Sequence, residues 1–236
     1  MRLAVIPARG GSKRIPRKNL KEFCGLPMIA WSIKAAIASQ CFDRIIVSTD
    51  DEEIAQLSLE FGAEVPFIRP AHLSDDYTGT IPVIAHAIEQ QNLNTEKFQW
   101  VCCIYATAPF IQATDIKSAY QTLLTEKADY SFSVTSYPFP IQRAIKITSN
   151  QRVEMFEPQQ FNTRSQDLEE AWHDAGQFYW GRADAWLQKK ALFTKCAIPI
   201  PIPRYRVQDI DTPEDWERAE WIFKSMKQTE RTTNVI

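Results

Sequence analysis

Short apolar runs alternate along the first half of the chain with longer segments in which apolar residues recur at helical spacing. The runs at 3–6, 45–47, 65–68, 101–105 and 130–134 are partly β-branched and bounded by polar residues, glycine or proline. That is the pattern of strands buried on both faces. Between them, Ile29, Ile33 and Ile37, then Ile54, Leu57 and Phe61, then Ile81, Ile84 and Ile88, then Ile116, Ala119 and Leu123 lie three or four residues apart, which predicts amphipathic helices. A β-α-β-α rhythm favours right-handed crossovers and parallel strands, so an α/β fold is expected, with an open, mostly parallel, doubly wound sheet. Ligands of such sheets bind at the carboxyl ends of the strands.

The rhythm breaks after Tyr137. Pro138, Pro140, a short strand-like run at 144–148 and a polar stretch at 149–170 read as an insertion spanning about 138–172. Core-like sequence returns at 177–180, followed by a proline-punctuated run at 198–203 and a helix from Pro213 to about Met226. Thr212 and Asp215 form a Thr-x-x-Asp capping signal, and Pro213 suits the first helical position. Trp216, Ala219 and Phe223 give that helix a buried stripe. One domain over 1–227 is expected, with a flexible tail at 228–236.

With 236 residues and 44% apolar content, the chain can bury a substantial single core. Its net charge of −2 provides no global field for neutralising a nucleic-acid backbone, so nucleic acid is not an expected partner. The apolar start is short and runs at once into Pro7 and Arg9, unlike a signal peptide or a membrane span. A cytoplasmic protein without a membrane partner is expected. The five cysteines show no Cys-x-x-Cys spacing and read as reduced, mostly buried thiols. Cys102 and Cys103 adjoin in an expected strand, which sends them to opposite faces.

Candidate chemistry begins directly after the first expected strand. Residues 8–19 read Ala-Arg-Gly-Gly-Ser-Lys-Arg-Ile-Pro-Arg-Lys-Asn and put Arg9, Lys13, Arg14, Arg17 and Lys18 in one loop. Adjacent Gly10 and Gly11 let the backbone approach a bulky anion, whose phosphates amides and cations can cradle. The spacing is neither that of a P-loop nor that of a dinucleotide fingerprint. From charge alone, a solvated basic turn reads equally well. Near the other end, Asp209 and Asp211 precede the capped helix; two residues apart on an extended chain, they share a face and suit one Mg²⁺. Ordinary electrostatics at a helix start would also explain Asp211.

The order Ala-Arg-x-x-Ser-Lys-x-Ile-x-x-Lys-Asn over Ala8 to Asn19 resembles the signature of the CMP-sugar synthetases, the cytidylyltransferases that activate sialic acids and related sugars. The blocks at 42–50 and 61–65, and Arg69-Pro70 followed by Asp76 and Thr80, are similar to later parts of the same pattern. The resemblance implies a nucleotidyltransferase-like fold, CTP and an acidic nonulosonic sugar as substrates, and nucleotide binding by Ala8, Arg9, Gly10, Gly11, Ser12, Lys13, Asn19, Arg69 and Thr80. It implies that Arg69 and Thr80 approach the cytosine, that Asn19 lies near the nucleoside, and that Asp209 and Asp211 bind the Mg²⁺ cofactor. The sugar's anomeric hydroxyl would attack the α-phosphorus of CTP, with Arg9, Lys13 and Lys18 neutralising phosphate charge and Asp211 in the catalytic set. No general base is identifiable, although Asp209 acting through water is one hypothesis.

Within that family, residues 163–181 look like the pseudaminic acid cytidylyltransferases. Tyr105 stands where the sialic acid branch has a sugar-contacting Gln, and His173 where it has an Arg facing the carboxylate. Tyr105, Arg164, His173 and Gln177 are therefore the expected sugar contacts, with Tyr105 as a packed core aromatic and His173 as a structural histidine the plainer readings. The insertion corresponds to the family's dimerisation element, which implies a homodimer. Only through the family do flagellar glycosylation or surface glycan synthesis follow. N-acetylneuraminate, legionaminate and 3-deoxy-manno-octulosonate stay open as alternative sugars. A non-catalytic nucleotide-binding protein, or a partner surface built on Trp172, Trp180 and Trp186, stays open as an alternative class.

Overall fold

β1 (Arg2–Pro7) alternates its side chains between two separate cores. Ala4 and Ile6 pack on one side, Leu3 and Val5 on the other, and all four are fully buried. This computed structural model describes residues 1–92 and 97–233, with side chains through 229. In chain order, β1 is followed by β2 (Glu22–Phe23), β3 (Leu26–Pro27), α1 (Met28–Ser39), β4 (Arg44–Ser48), α2 (Glu52–Glu60), α3 (Thr80–Asn92), β5 (Trp100–Ile104), α4 (Ala113–Glu126) and β6 (Tyr130–Ser136). Then come β7 (Ile145–Ile147), β8 (Val153–Met155), β9 (Trp172–Arg182), α5 (Ala183–Leu187), β10 (Ala197–Pro201) and α6 (Pro213–Thr233).

Among the described residues, the main sheet has the order β10-β6-β9-β5-β1-β4. β1 runs parallel to β4 and β5, and β10 runs parallel to β6; β9 is antiparallel to both of its neighbours. α1, α2 and α4 supply Ile29, Ile33, Ile54, Ile116 and Leu123 to one face. The other face is covered by α3 and α5 through Ile84, Ile88 and Trp186. Helices on both faces of a mostly parallel sheet fulfil the expected fold class. A third cluster joins Ile15, Phe23, Ile210, Trp216 and Phe223, docking α6 against the small β2–β3 pair. Cys102 and Cys103 are fully buried and enter different cores, as the strand period requires.

The run at 65–68 departs from the expectation of a strand. It lies beside β4 through two isolated parallel bridges, Ile46 to Glu64 and Thr49 to Ile68. Pro66 has no N–H to donate, so the ladder cannot continue between them. In β10, Pro199 and Pro201 are tolerated because the strand is at the sheet edge and both prolines are exposed. α6 also runs further than expected, continuing through the anticipated tail to Thr233; residues 234–236 lie outside the described set. Its start matches the sequence signal, since the Asp215 N–H donates to Thr212 Oγ1 at 3.2 Å and the Thr212 N–H donates to Asp215 Oδ2 at 2.8 Å.

The insertion carries β7 and β8, a two-stranded ribbon in which Ile145 pairs with Met155 and Ile147 with Val153. Cross-strand partners share a face, so these four residues form one apolar surface, with Ile145, Ile147 and Val153 exposed. The tryptophans are divided differently from a partner-binding surface. Trp180 and Trp186 are fully buried, donating from Nε1 to the carbonyls of Ile116 and Val101 at 2.9 and 3.2 Å, and only Trp172 of the three is exposed. No described helix is long and apolar enough to cross a membrane.

Candidate active site

The loop after β1 is fixed from beneath by the end of β4. The Ala8 N–H donates to the Ser48 carbonyl at 3.0 Å, and the Gly10 N–H donates to Asp50 Oδ1 at 3.0 Å. A Cβ on Gly10 would lie 2.5 Å from Asp51 Oδ2, whereas one on Gly11 would meet nothing within 4 Å. Gly10 is therefore required by close packing. Asp51 in turn caps α2 by accepting from the Ile54 N–H at 3.0 Å and pairs with Arg17. Arg17 adopts a φ of 55° and also reaches Glu53 at 2.7 Å. It thus faces away from the other loop cations and serves as an anchor.

Above this anchor, at the carboxyl ends of β1 and β5, lies a cavity of about 530 Å³. Its lining brings together Arg9, Ser12, Lys13, Lys18, Asn19, Arg69, Thr80, Tyr105 and Asp211, with Arg14, Asp75 and Asp76 beside them. Five cations face three carboxylates there, a locally positive concavity in a chain of net charge −2. Every loop cation already has a carboxylate partner. Asp76 binds Arg9 and Lys13, while Asp211 binds Arg14 at 2.9 Å and Lys18 at 3.4 Å.

Arg69 is buried to 4% exposure, unlike a surface salt-bridging arginine. Its Nε donates to Ser74 Oγ at 3.0 Å, and Asp50 lies 3.8 Å from its guanidinium. Burial lowers its pKa from the ordinary arginine value, with the Asp50 charge opposing the shift. Asn19 is equally enclosed. Its Nδ2 donates to the Arg9 carbonyl at 3.0 Å, which leaves Oδ1 buried without a protein donor and suited to accept from a ligand.

Tyr105 follows β5 and is held by its backbone: its N–H donates to the Gln177 carbonyl at 2.9 Å, and its own carbonyl accepts from Ser32 Oγ at 2.7 Å. Its phenol reaches the cavity, 2.9 Å from Thr80 Oγ1, and its ring packs at 5.1 Å on Tyr179. Burial raises the Tyr105 pKa, so the phenol stays a neutral hydrogen-bonding group. Core packing and cavity lining prove to be one role in this residue.

The other expected sugar contacts are elsewhere. Gln177 is buried under a bulge in β9, where its Nε2 donates to the Arg206 carbonyl at 2.6 Å and Oε1 has no partner. His173 packs 4.7 Å from the Tyr137 ring, with Nδ1 2.9 Å from the Asp174 carbonyl oxygen. Arg164 sits on the exposed insertion and pairs with Asp167 at 2.6 Å. None of the three lines the cavity of this chain. Ala8, Gly10 and Gly11 form the loop's backbone beneath it. Asp50, which holds both the Gly10 amide and the neighbourhood of Arg69, was missed in the sequence; its signal is a carboxylate immediately beyond a strand's carboxyl end.

Asp209 and Asp211 flank Ile210, which is buried and whose carbonyl accepts from Lys18 Nζ at 2.7 Å. Asp209 keeps an exposed edge and does not line the cavity. Its carboxyl is pushed above the ordinary range by the protein packed around it and by the Asp211 charge, a repulsion that a cation would relieve. Two hard oxygen donors suit a divalent ion. Among the described residues no group of three or more His, Cys, Asp or Glu could hold a metal, so phosphate and water oxygens have to complete any such shell.

A cation-lined cavity at the strand ends of a doubly wound sheet, with a buried arginine beyond the cationic loop, is the place where α/β proteins of this kind seat anionic ligands such as nucleotides. The cytidylyltransferase family model matches residues 3–229. The chain belongs to that family, and it is a nucleotidyltransferase. It is 44% identical over 222 residues to a pseudaminic acid cytidylyltransferase of Campylobacter jejuni subsp. jejuni serotype O:23/36, covering 94% of this chain and 96% of that one. It is 32% identical to a CMP-N,N'-diacetyllegionaminic acid synthase of Legionella pneumophila, with coverage of 94% and 96%. Among solved structures, a CMP:2-keto-3-deoxy-manno-octonic acid synthetase complexed with CTP has the same fold, with a TM-score of 0.68 at 16% identity over 95% of this chain and 99% of the other.

Proposed function

We propose that this protein transfers CMP from CTP to the anomeric hydroxyl of pseudaminic acid. The sugar oxygen bonds to the α-phosphorus, the bond from that phosphorus to the bridging oxygen breaks, pyrophosphate leaves, and the hydroxyl proton passes to solvent. One observation carries the reading: a single cavity joins the cationic loop to buried Arg69, in a chain 44% identical to an enzyme named for this reaction.

Arg9, Lys13 and Lys18 bind the triphosphate and balance charge as the phosphorus changes partners. Arg69 and Thr80 read the cytosine, and Asn19 Oδ1 accepts from the nucleoside. Tyr105 presents its neutral phenol to the sugar. Asp209 and Asp211 hold Mg²⁺, which when bound supplies further charge neutralisation to phosphate oxygens. The apolar face of β7 and β8 supports a homodimer, in which Arg164 of a second copy meets the sugar carboxylate. A CTP-consuming reaction of this kind belongs in the cytoplasm.

The test is pyrophosphate release with CTP and Mg²⁺, comparing pseudaminate, N-acetylneuraminate and legionaminate, with Asp211→Ala as control. Release with pseudaminate alone, lost in the control, is the expected result. Release with a different sugar alone would keep the transfer and overturn the choice of sugar.

A further inference from the structure

Arg9 and Lys13 converge on one carboxylate. Arg9 Nη1 donates to Asp76 Oδ1 at 2.6 Å, and Lys13 Nζ donates to Asp76 Oδ2. Arg9 Nη1 also donates to the Asp75 carbonyl at 2.9 Å. All four residues line the cavity, so the Asp76 oxygens stand where a ligand's anionic oxygens must go for these two cations to hold it.

The segment that delivers Asp76 has its own local scaffold. Asp75 Oδ1 accepts from the Thr78 N–H at 2.7 Å, the Tyr77 N–H at 3.0 Å and the Thr78 hydroxyl at 2.7 Å, an Asx turn that shapes the loop without using the Asp76 side chain. Buried Arg69 precedes the loop and Thr80, the first residue of α3, follows it. The Asp76 carboxylate can therefore leave its cations while the turn and the residues on either side stay in place. The pairs are also open to water. The Lys13 side chain is 79% exposed and that of Asp76 35%, a setting in which ion pairs are weak and a ligand with several charges competes well.

We propose that Asp76 is an internal competitor for the polyphosphate seat, holding Arg9 and Lys13 until a ligand with a chain of phosphates displaces it. This rests on the reading of the loop as the triphosphate site, and it makes Asp76 a residue that tunes the affinity of that site for phosphate chains. Its carboxylate imposes the same displacement cost on every ligand that needs Arg9 and Lys13, and none on a nucleoside that binds through Arg69 and Thr80 alone. The carboxylate thereby sets the affinity of the cations for any phosphate chain and leaves binding through the base contacts untouched.

The experiment is isothermal titration of the full chain and of its Asp76→Asn and Asp76→Glu variants with CTP, inorganic tripolyphosphate and cytidine. In Asp76→Asn the dissociation constants for CTP and tripolyphosphate should fall about three- to tenfold. The cytidine constant should stay unchanged, and Asp76→Glu should return both anions toward wild-type values. Unchanged or weaker binding of CTP and tripolyphosphate in Asp76→Asn would overturn the proposal, because Asp76 would then organise the site and not compete for it. An equal shift for cytidine would also overturn it, by showing that the whole cavity had changed. Failure of the wild-type chain to bind CTP at all would overturn the triphosphate reading itself, a separate result from CTP binding that Asp76→Asn does not tighten.

Discussion

Arg206 and Asp115 lie 91 residues apart and form a two-point ion pair, with Nη1 to Oδ2 at 2.5 Å and Nη2 to Oδ1 at 3.3 Å. Their side chains are 7% and 18% exposed. The pair ties the first turn of α4 to the segment that leads into Asp209 and Asp211, and the Gln177 amide grips the Arg206 carbonyl from the other side. Removing one partner of such a pair leaves an uncompensated charge in the interior. Asp115→Ala should cost about 3–5 kcal/mol in urea unfolding, and it should weaken the response of pyrophosphate release to Mg²⁺ by loosening the Asp209–Asp211 segment.

Gly10 and Gly11 separate packing from charge in the loop. Gly10→Ala drives a Cβ into Asp51, which caps α2 and binds Arg17. It should lose about 1–3 kcal/mol and raise the KM for CTP. Gly11→Ala has open space and should change stability by no more than about 0.5 kcal/mol. Thermal unfolding of the two variants provides the comparison.

Asp51 makes the loop's anchor sensitive to acid. Its carboxyl is held below the ordinary range, chiefly by the hydrogen bond from Arg17 and further by the Ile54 N–H, with burial opposing the shift. A carboxylate with a depressed folded pKa contributes stability that is complete above the unfolded value of about 3.9 and is lost as pH falls through the lower folded value. Stability of the wild-type chain should therefore fall more steeply below about pH 4 than that of Asp51→Asn. Urea midpoints measured across this range check it, and parallel curves would refute it.

Tyr105→Gln tests the choice of sugar. Losing the phenol beside Thr80 should lower kcat/KM for pseudaminate by about tenfold or more and raise acceptance of N-acetylneuraminate relative to it. Competition between the two sugars in one reaction measures the ratio directly.

The ribbon of β7 and β8 exposes Ile147 at 71% and Val153 at 64% as a cross-strand pair. Ile147→Lys should shift the mass seen by light scattering from dimer to monomer with the circular dichroism spectrum unchanged. A wild-type chain that is already monomeric at micromolar concentration would count against the homodimer.

The signals legible along the chain were local ones. Strand runs around β1, β4, β5 and β6, helical spacing in α1 to α4, and the Thr212–Asp215 cap all act over a few residues, where side-chain period and backbone hydrogen bonding determine the element. The loop from Ala8 to Asn19 was visible because its glycines and cations are contiguous. The 65–68 run misled because apolar content was weighed over Pro66. α6 runs beyond Met226 because a polar sequence can continue a helix without announcing it through apolar spacing.

By itself, then, the sequence determined the alternation of elements, the split of Cys102 and Cys103 between faces, and the residue types of the cationic loop. Only the tertiary structure decided that β9 inserts antiparallel between β5 and β6, that Arg17 turns toward Asp51, that Asp76 takes up Arg9 and Lys13, and that Arg164, His173 and Gln177 stand away from the cavity. The physical reason is distance along the chain. Periodicity and capping are fixed by neighbours within a turn or two, whereas the partner of a charge dozens of residues away depends on strand order and on which loops that order brings side by side.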